Sequence, residues 1–236
     1  MVDFHTHILP NMDDGANCLA TSIEMLRQSF LQGVDVVVST SHFYANEEYP
    51  REFLLRRKEA FERLDDAMLM EAEVFPKIVL GAEVLYFPGI SEAEEISELT
   101  IGDSNCILIE PPMTPWTDSI LDEIMRVGKE RNCRPIIAHV DRYMTYLGDK
   151  TLISRVQERN MLVQVNADYF LNPATSRKAL KHLKQGNIHL IGSDCHNLTN
   201  RPQNLGKVRR LASENGLAEE FTMLSRNAAL LLKGNA

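Results

Sequence analysis

The sequence predicts an α/β protein folded as a single distorted, TIM-like (β/α)7 barrel. Short apolar runs alternate with helical stretches along the whole chain, and no linker rich in Pro, Gly or Ser divides it. The apolar runs are continuous, as is typical of parallel strands buried on both faces. Side chains that bind metals follow nearly every run, as expected if the active site lies at the carboxyl ends of barrel strands. We therefore predict one domain covering residues 1–236.

The seven strands are predicted from aliphatic and β-branched runs that stop at polar residues. In chain order they cover residues 2–4, 34–40, 78–83, 106–109, 135–138, 162–165 and 188–192. The second run leads into Ser41 and His42, the third includes Glu83, and the fourth leads into Glu110. Six of the seven predicted strands therefore deliver candidate ligands to the same end of the barrel, and the sixth, 162–165, does not.

Helices are predicted between the strands from apolar spacing and terminal signals. The first, 21–32, has the capping box Thr21-x-x-Glu24 and Gly33 as its stop. Its predicted inner face consists of Ile23, Leu26 and Phe30. The remaining helices are predicted at 50–73 with Pro50 in the first turn, after a capping box of Ser91 and Glu94, at 118–131, 150–160 and 173–185, and twice near the C-terminus.

Composition excludes several classes of function. A net charge of −8 argues against nucleic acid as a partner, because phosphate backbones require basic surfaces. No apolar run approaches the ~20 residues that span a bilayer, and no signal peptide is predicted. The four cysteines show no paired spacing, which favours reduced thiols. We expect a cytoplasmic protein without direct membrane insertion.

The candidate metal ligands occur at nearly every predicted strand end. His5 and His7 are two residues apart, as are Asp194 and His196, so each pair lies on one face of an extended segment. The full set is His5, His7, His42, Glu83, Glu110, His139, Asp194 and His196, with Asp13 and Asp14 in the loop after the first strand. These exceed the ligands that one zinc ion accepts, which indicates two or three ions. Mixed imidazole and carboxylate donors suit manganese, iron or zinc.

Such a centre suits phosphoester hydrolysis. Two ions ~4 Å apart can share a water, lower its pKa towards ~7 and hold a phosphate for in-line attack. Arg142, three residues after His139, and Arg201, in the loop after His196, are candidates for bidentate binding of phosphate oxygens. The two remaining histidines, His182 and His189, fall in a helix and at a strand start, and we predict structural roles for them.

These motifs identify a family resemblance that runs nearly end to end. The chain resembles the PHP (polymerase and histidinol phosphatase) superfamily and, within it, the CpsB/YwqE-type bacterial tyrosine-protein phosphatases of capsule and exopolysaccharide operons. The supporting strings are His5-Thr6-His7, Asp13-Asp14-Gly15, Ser41-His42, Gly81-Ala82-Glu83, Ala138-His139, Gln164-Val165-Asn166 and Gly192-Ser193-Asp194-Cys195-His196.

The resemblance implies a PHP-type barrel with three metal ions and manganese as the usual activator. The first ion would be held by His5, His7, Glu83 and Asp194, the second by Glu83, Glu110 and His139, and the third by Asp14, His42 and His196. Arg142 and Arg201 would contact the phosphate. Asp141 departs from the pattern, because a glutamate is expected beside the arginine.

The resemblance also implies a substrate, which is phosphotyrosine in the tail of a cognate bacterial tyrosine kinase that controls polysaccharide export. Aromatic residues in or near the rim loops are candidates for packing against the phosphotyrosine ring. They are Phe43, Tyr44, Tyr49, Trp116 and Tyr143.

Other interpretations stay open at this stage. The spacing Cys195-x5-Arg201 matches cysteine-dependent tyrosine phosphatases, but the intervening residues include no glycine to form a phosphate-binding loop. The barrel could instead hydrolyse a small phosphomonoester such as histidinol phosphate, or bind a phosphorylated ligand without turnover as a sensor. The sequence leaves the oligomeric state open.

Overall fold

The computed structural model describes residues 1–234, so residues 235 and 236 of the predicted domain lie outside the described residues. Its strands are β1 (Val2–Thr6), β2 (Val36–Ser39), β3 (His42–Phe43), β4 (Lys77–Leu80), β5 (Glu83–Leu85), β6 (Cys106–Glu110), β7 (Arg134–Ile137), β8 (Leu162–Asn166) and β9 (Leu190–Gly192). Its α-helices are α1 (Leu19–Leu31), α2 (Pro50–Leu69), α3 (Asp118–Glu130), α4 (Val140–Tyr146), α5 (Leu152–Gln157), α6 (Ala167–Leu171), α7 (Ser176–Lys184), α8 (Leu205–Glu214) and α9 (Ala218–Leu231). A 3-10 helix covers Glu94–Leu99.

All strand pairings are parallel and form a curled sheet in two hydrogen-bonded parts. The first part has the order β1-β2-β4, and the second has the order β3-β5-β6-β7-β8-β9. The predicted strand 78–83 is therefore divided at Gly81, between β4 and β5. A Cβ atom at this glycine would lie 2.8 Å from the side chain of Ile101, which leaves no room for a larger residue.

Backbone hydrogen bonds between the neighbouring chain segments continue on both sides of the divisions. The Gly81 amide donates to the Ser39 carbonyl at 2.8 Å, and the Glu83 amide donates to the Ser41 carbonyl at 3.0 Å. His42 consequently pairs in register with Glu83. The interruption therefore sets two candidate metal ligands directly opposite each other.

The first strand also meets the segment that follows the last strand. The Asp194 amide donates to the His5 carbonyl at 2.8 Å, and the His7 amide donates to the Cys195 carbonyl at 2.9 Å. The buried carboxylate of Asp3 accepts hydrogen bonds from the Ser193 amide at 2.8 Å and from Gln203 Nε2 at 2.5 Å. These contacts join the beginning of the chain to a region almost two hundred residues later.

Apolar side chains on the strands are buried on both faces, as the continuous runs predict. Along β6, Ile107 and Ile109 belong to a large cluster with helix residues such as Leu26 and Leu121. The alternating residues Cys106 and Leu108 belong to a smaller cluster. That cluster is composed chiefly of strand residues, with Ala228 and Leu231 of α9. This alternation with a period of two is the expected geometry of a strand covered on each side.

Several local predictions at helix ends are wrong. Helix α1 begins at Leu19 after Cys18, so Thr21 lies inside it and donates to Asn17 Oδ1 rather than capping the helix. Phe30 is 42% exposed and does not face the core. The predicted capping box of Ser91 and Glu94 is wrong as well, because the 3-10 helix follows Ala93.

Other terminal signals are confirmed. Gly33 has a φ of +80° and ends α1, a conformation that favours glycine. Pro50 occupies the first turn of α2. Within residues 1–234, every helix is too short or too polar to cross a membrane.

Candidate metal centre

The predicted ligands lie close together, most of them at or just after the carboxyl end of a strand. His5 lies in β1 and His7 just after it; His42 and Glu83 begin β3 and β5; Glu110 ends β6; His139 follows β7; Asp194 and His196 follow β9; and Asp14 lies in the loop after β1. The pairing register of β1 against β2 shifts between Asp3 and Thr6. Such irregularities occur beside active sites, where they redirect side chains.

One group of ligands surrounds His5. The Oε2 atom of Glu83 lies 3.0 Å from His5 Nε2 and 3.3 Å from His7 Nε2. Asp194 Oδ1 lies 3.6 Å from each of the same two nitrogens. The predicted first set therefore forms one compact group, in which all four side chains are buried.

Glu83 also belongs to a second group. Its Oε1 atom lies 2.8 Å from His139 Nε2, and Glu110 Oε1 lies 3.3 Å from the same nitrogen. His42 Nδ1 approaches this group from another side, 3.2 Å from Glu83 Oε2. The two oxygens of Glu83 face different histidines, so this carboxylate would supply a ligand to each group if both groups held a metal ion.

Asp14 defines the third group. Its Oδ1 atom lies 3.2 Å from His196 Nε2 and 3.6 Å from His42 Nε2. His7 joins the group at ligand spacing, and its ring centroid lies 3.8 Å from that of His196. The Asp14 side chain is 65% exposed, so this group lies at the open edge of the centre.

Two of the predicted ligands, His139 and Asp194, have strained backbones. His139 has a φ of +30° and Asp194 a φ of +54°, in the left-handed region that residues other than glycine seldom adopt. The His139 amide donates to Gln164 Oε1 at 2.5 Å, and the Asp194 amide donates to the His5 carbonyl. Such strain costs about 1–3 kcal/mol per residue and persists where surrounding contacts impose it, which is common at functional sites.

Asp13 connects two ligand segments. Its Oδ2 atom accepts hydrogen bonds from His7 Nδ1 at 2.8 Å and from the His42 amide at 2.9 Å, while Oδ1 accepts from the Gly15 amide at 3.0 Å. A carboxylate that accepts from Nδ1 fixes the histidine tautomer and leaves Nε2 free for a metal. The sequence indicated that Asp13 lies on this rim but did not reveal this supporting role.

Gln164 and Asn166, within β8, support the centre through hydrogen bonds. Gln164 Nε2 donates to Asn166 Oδ1 at 3.0 Å, and Asn166 Nδ2 donates to Asp194 Oδ2 at 2.8 Å. Asp141 accepts a hydrogen bond from the Asn166 amide at 2.9 Å, and among residues 1–234 it forms no ion pair with Arg142. Polar residues inside an apolar strand were the sequence signal for this support.

The two predicted arginines lie beside Asp194. Arg142 Nη2 and Arg201 Nη2 donate to the same oxygen, Asp194 Oδ2, at 2.5 and 2.7 Å. Arg142 also approaches Glu110 at 3.7 Å, and Arg201 approaches Asp14 at 3.8 Å. Both side chains are about one-third exposed, at 37% and 36%, so each retains guanidinium N–H groups that can face a ligand.

The carboxylates and histidines of the centre lie close enough to shift one another's pKa values strongly. Burial alone would raise the pKa of Glu83, but His5, His139 and His7 outweigh it and hold the pKa well below its ordinary value. Burial lowers the pKa of His7, but contacts with Asp13 and Glu83 raise it to about 10. Burial and the nearby charge of His7 lower the pKa of His196 to about 4. The Glu83 carboxylate therefore remains ionised and attracts positive charge, whether protons or cations.

The residues present fit metal ions. Buried His42 Nδ1 and His196 Nε2 have no hydrogen-bond partner among the described residues, although each lies 3.2 Å from a carboxylate oxygen. Buried ring nitrogens that face carboxylates without forming a hydrogen bond are the arrangement that a shared cation satisfies. The imidazole and carboxylate donors suit first-row metals such as manganese, iron and zinc.

Cys195 lies apart from this chemistry. Its side chain is buried in the larger apolar cluster, and burial raises the pKa of its thiol to about 12. The two histidines predicted to be structural also lie elsewhere. His189 Nδ1 accepts a hydrogen bond from the Val163 amide at 2.9 Å, and His182 lies on α7 beside Asn187.

The candidate aromatic contacts divide by exposure. Phe43, Trp116 and Tyr143 are buried, and the Tyr143 hydroxyl donates to the Pro111 carbonyl. Tyr49 is 72% exposed at the start of α2. Tyr44 is half-buried and stacks on His42, with ring centroids 5.3 Å apart.

The sequence profile of a family described as "Capsular polysaccharide synthesis, CpsB/CapC" matches residues 1–233. The chain belongs to the CpsB/CapC family. The resemblance predicted from the metal-ligand strings is thereby confirmed across nearly the entire chain.

Curated relatives of the CpsB/CapC chain carry phosphatase names. It is 25% identical over 258 residues to the tyrosine-protein phosphatase CpsB of Streptococcus agalactiae serotype III, covering 100% of this chain and 99% of the relative. It is 27% identical over 240 residues to the tyrosine-protein phosphatase YwqE of Bacillus subtilis, covering 99% and 92%. The similarity therefore extends over whole relatives rather than one shared segment.

A solved structure shows the same fold. It is described as belonging to YwqE from Bacillus subtilis and CpsB from Streptococcus pneumoniae, "unique metal-dependent tyrosine phosphatases". The TM-score is 0.87 at 24% identity, covering 100% of this chain and 96% of that chain. The lactonase Lmo2620 from Listeria monocytogenes shares the fold more distantly, with a TM-score of 0.52 at 10% identity, covering 94% and 90%. The α/β class predicted from the sequence is confirmed.

Proposed function

We propose that this CpsB/CapC protein is a metal-dependent protein-tyrosine phosphatase. The observation that carries the proposal is the bridging position of Glu83, which lies between two groups of ligands while Arg142 and Arg201 flank the adjacent rim. A multinuclear centre beside two guanidinium groups is suited to a dianionic phosphate. The names of the curated relatives, tyrosine-protein phosphatases CpsB and YwqE, support the choice of phosphotyrosine.

In this proposal the ligand groups hold two or three divalent or trivalent ions, with manganese as the expected metal and iron or zinc as alternatives. The proposed ligands are His5, His7, Asp14, His42, Glu83, Glu110, His139, Asp194 and His196. Bound ions of this kind lower the pKa of a coordinated water and neutralise phosphate charge.

The protein itself supplies orientation and charge. Arg142 and Arg201 donate to non-bridging phosphate oxygens with the N–H groups that Asp194 leaves free. Asp194 holds both guanidinium groups at one edge of the centre, which positions them before substrate binds. A tyrosine leaving group has a pKa near ~10, so it departs with less protonation than an alkoxide requires. We therefore assign no general acid.

The proposed substrate is phosphotyrosine in the tail of a cognate bacterial tyrosine kinase, with capsule or exopolysaccharide synthesis as the regulated process. The family description links the chain to capsular polysaccharide synthesis. We place the reaction in the cytoplasm, in keeping with four cysteines that are all free.

We also propose that residues 1–236 form one domain with a seven-stranded barrel. In this barrel β2 and β3 act as one interrupted strand, and β4 and β5 act as another.

The test is hydrolysis of a phosphotyrosine peptide with added Mn²⁺, with and without a chelator. The double variant His5→Ala/His7→Ala removes two ligands, and His182→Ala is the matched control because His182 lies on α7, away from the centre. We expect activity that requires Mn²⁺, disappears in the double variant and survives in the control. Activity that survives both chelation and the double variant would refute the metal mechanism.

Substrate class is tested in the same assay. Histidinol phosphate and other small phosphomonoesters are included beside the peptide. Faster hydrolysis of a small phosphomonoester than of the peptide would show that the substrate is a small molecule rather than a phosphoprotein. Metal binding without turnover of any phosphoester would favour a sensor.

A further inference from the structure

We propose that Tyr44 is the residue that selects aryl over alkyl phosphoesters, by packing its ring against the phenyl ring of the substrate. This inference rests on the proposed function and deepens it, because it assigns the specificity of the same site to one side chain. The first observation is that the Tyr44 ring stacks on His42, with a centroid distance of 5.3 Å and an angle of 18° between the ring planes. His42 is itself 3.2 Å from Glu83, so Tyr44 directly adjoins the metal centre.

Burial eliminates three of the five candidate aromatic residues. Phe43 packs edge-on against Phe53 at 5.5 Å and is 1% exposed. Trp116 and Tyr143 pack against each other at 4.6 Å, and both are buried. These rings are already covered by the protein and offer no free face to a ligand.

Tyr44 differs because it is only half-buried. One face of the ring lies against His42, and the protein covers the residue only in part. Aromatic rings pair favourably at centroid separations of 4.5–7 Å. A phenyl ring attached to a phosphate at the centre would lie beside Tyr44, which already stacks on the predicted ligand His42.

The backbone that carries Tyr44 is anchored. The Glu47 and Glu48 amides donate to the Tyr44 carbonyl at 3.0 and 3.3 Å. Arg56 links this turn to the loop before Asp13, because its Nε donates to Glu48 at 3.0 Å and its Nη1 donates to the Met12 carbonyl at 3.3 Å. A ring on a fixed turn can contribute to selectivity at little entropic cost.

The experiment compares kcat/KM for a phosphotyrosine peptide and for the same peptide with phosphoserine, using the Mn²⁺-loaded protein. For Tyr44→Leu we expect a loss about 2–10-fold larger with phosphotyrosine than with phosphoserine, chiefly through KM, which corresponds to one aromatic pair. Tyr44→Phe should retain the preference. Tyr146→Leu is the control, since Tyr146 is an exposed tyrosine on α4.

Metal content distinguishes substrate packing from support of His42. The inference is overturned if Tyr44→Leu loses metal and kcat/KM falls equally for both peptides. It is also overturned if the ratio of kcat/KM for phosphotyrosine to kcat/KM for phosphoserine stays unchanged. If the wild-type protein hydrolyses neither peptide, the proposed function has failed. A direct binding measurement then still tests the role of Tyr44. In calorimetry with the Mn²⁺-loaded protein, Tyr44→Leu should weaken phenyl phosphate binding and leave inorganic phosphate binding unchanged; equal changes would contradict the assignment.

Discussion

The carboxylate of Asp13 lies 2.8 Å from Nδ1 of His7, and the same oxygen accepts the backbone amide of His42. One side chain therefore orients a ligand shared by two groups and fixes the strand that carries another. Removing such a partner of a metal-bound histidine typically costs 10–100-fold in metal affinity.

We accordingly expect Asp13→Ala to weaken Mn²⁺ binding by about 10–100-fold, measured by titration of the metal-free protein. Asp13→Asn retains an acceptor oxygen and should lose less. Asp66→Ala, an exposed position on α2, is the matched control. An unchanged Mn²⁺ affinity in Asp13→Ala would show that His7 keeps its orientation without this contact.

Arg142 and Arg201 should affect turnover without affecting metal content. Each contributes charge-assisted hydrogen bonds worth about 1.5–3 kcal/mol, so alanine at either position should lower kcat/KM by about 10–100-fold. Lysine should restore only part of the activity, because an ammonium group cannot bind phosphate through a planar fork. Arg226→Ala, exposed on α9, serves as the control, and metal analysis of each variant identifies any indirect loss of ligands.

Cys195→Ser should retain most activity, whereas His196→Ala should lose nearly all of it. Burial raises the pKa of the Cys195 thiol to about 12, so almost no thiolate exists at neutral pH. His196, in contrast, lies 3.2 Å from Asp14 in the third ligand group. Peptide hydrolysis and thermal unfolding are measured together. A comparable loss in a Cys195→Ser protein that remains folded would overturn the metal mechanism in favour of a cysteine nucleophile.

The metal-free protein should lose stability at alkaline pH. Burial lowers the pKa of His7, but contact with Asp13 raises it to about 10. Burial likewise lowers the pKa of His139, but contacts with Glu110 and Glu83 raise it to about 9. Both exceed the ordinary value near ~6.5, so the stabilisation is complete below that pH and disappears as pH rises through about 9 to 10.

Chemical unfolding of the chelated protein between pH 6 and 10.5 measures this dependence. Bound metal should flatten it, since a cation replaces the protons that pair with the carboxylates. A free energy of unfolding that stays constant over this range without metal would contradict the assigned ion pairs. The His182→Ala protein, altered outside the centre, should show the same pH profile as the wild-type chain.

The positions of the strands along the chain and the pairing of candidate ligands were predictable because both arise from local patterns. Continuous apolar runs marked the buried strands, and the spacing of His5 with His7 and of Asp194 with His196 placed each pair on one face. Helix ends were less predictable. Thr21 and Glu24 match a capping box, yet the helix begins two residues earlier, at Leu19.

Other features depended on contacts between distant residues. The strand is divided near Gly81, where Ile101 leaves no room for a side chain, and no local pattern encodes this contact. The short helices α4 and α6 span only seven and five residues, too few for a helical pattern to be recognised. The roles of Gln164 and Asn166 also required the fold, because their partners His139 and Asp194 lie elsewhere in the chain.

The hydrogen bonds of Asp3 have a consequence for biosynthesis. Its partners Ser193 and Gln203 lie 190 and 200 residues further along the chain, on the segments that flank Asp194 and His196. A ribosome therefore exposes His5 and His7 long before the second half of the centre exists. Contacts of such long range form late and slowly. The nascent chain should consequently remain catalytically silent, and cofactor capture should be among the last events of its maturation.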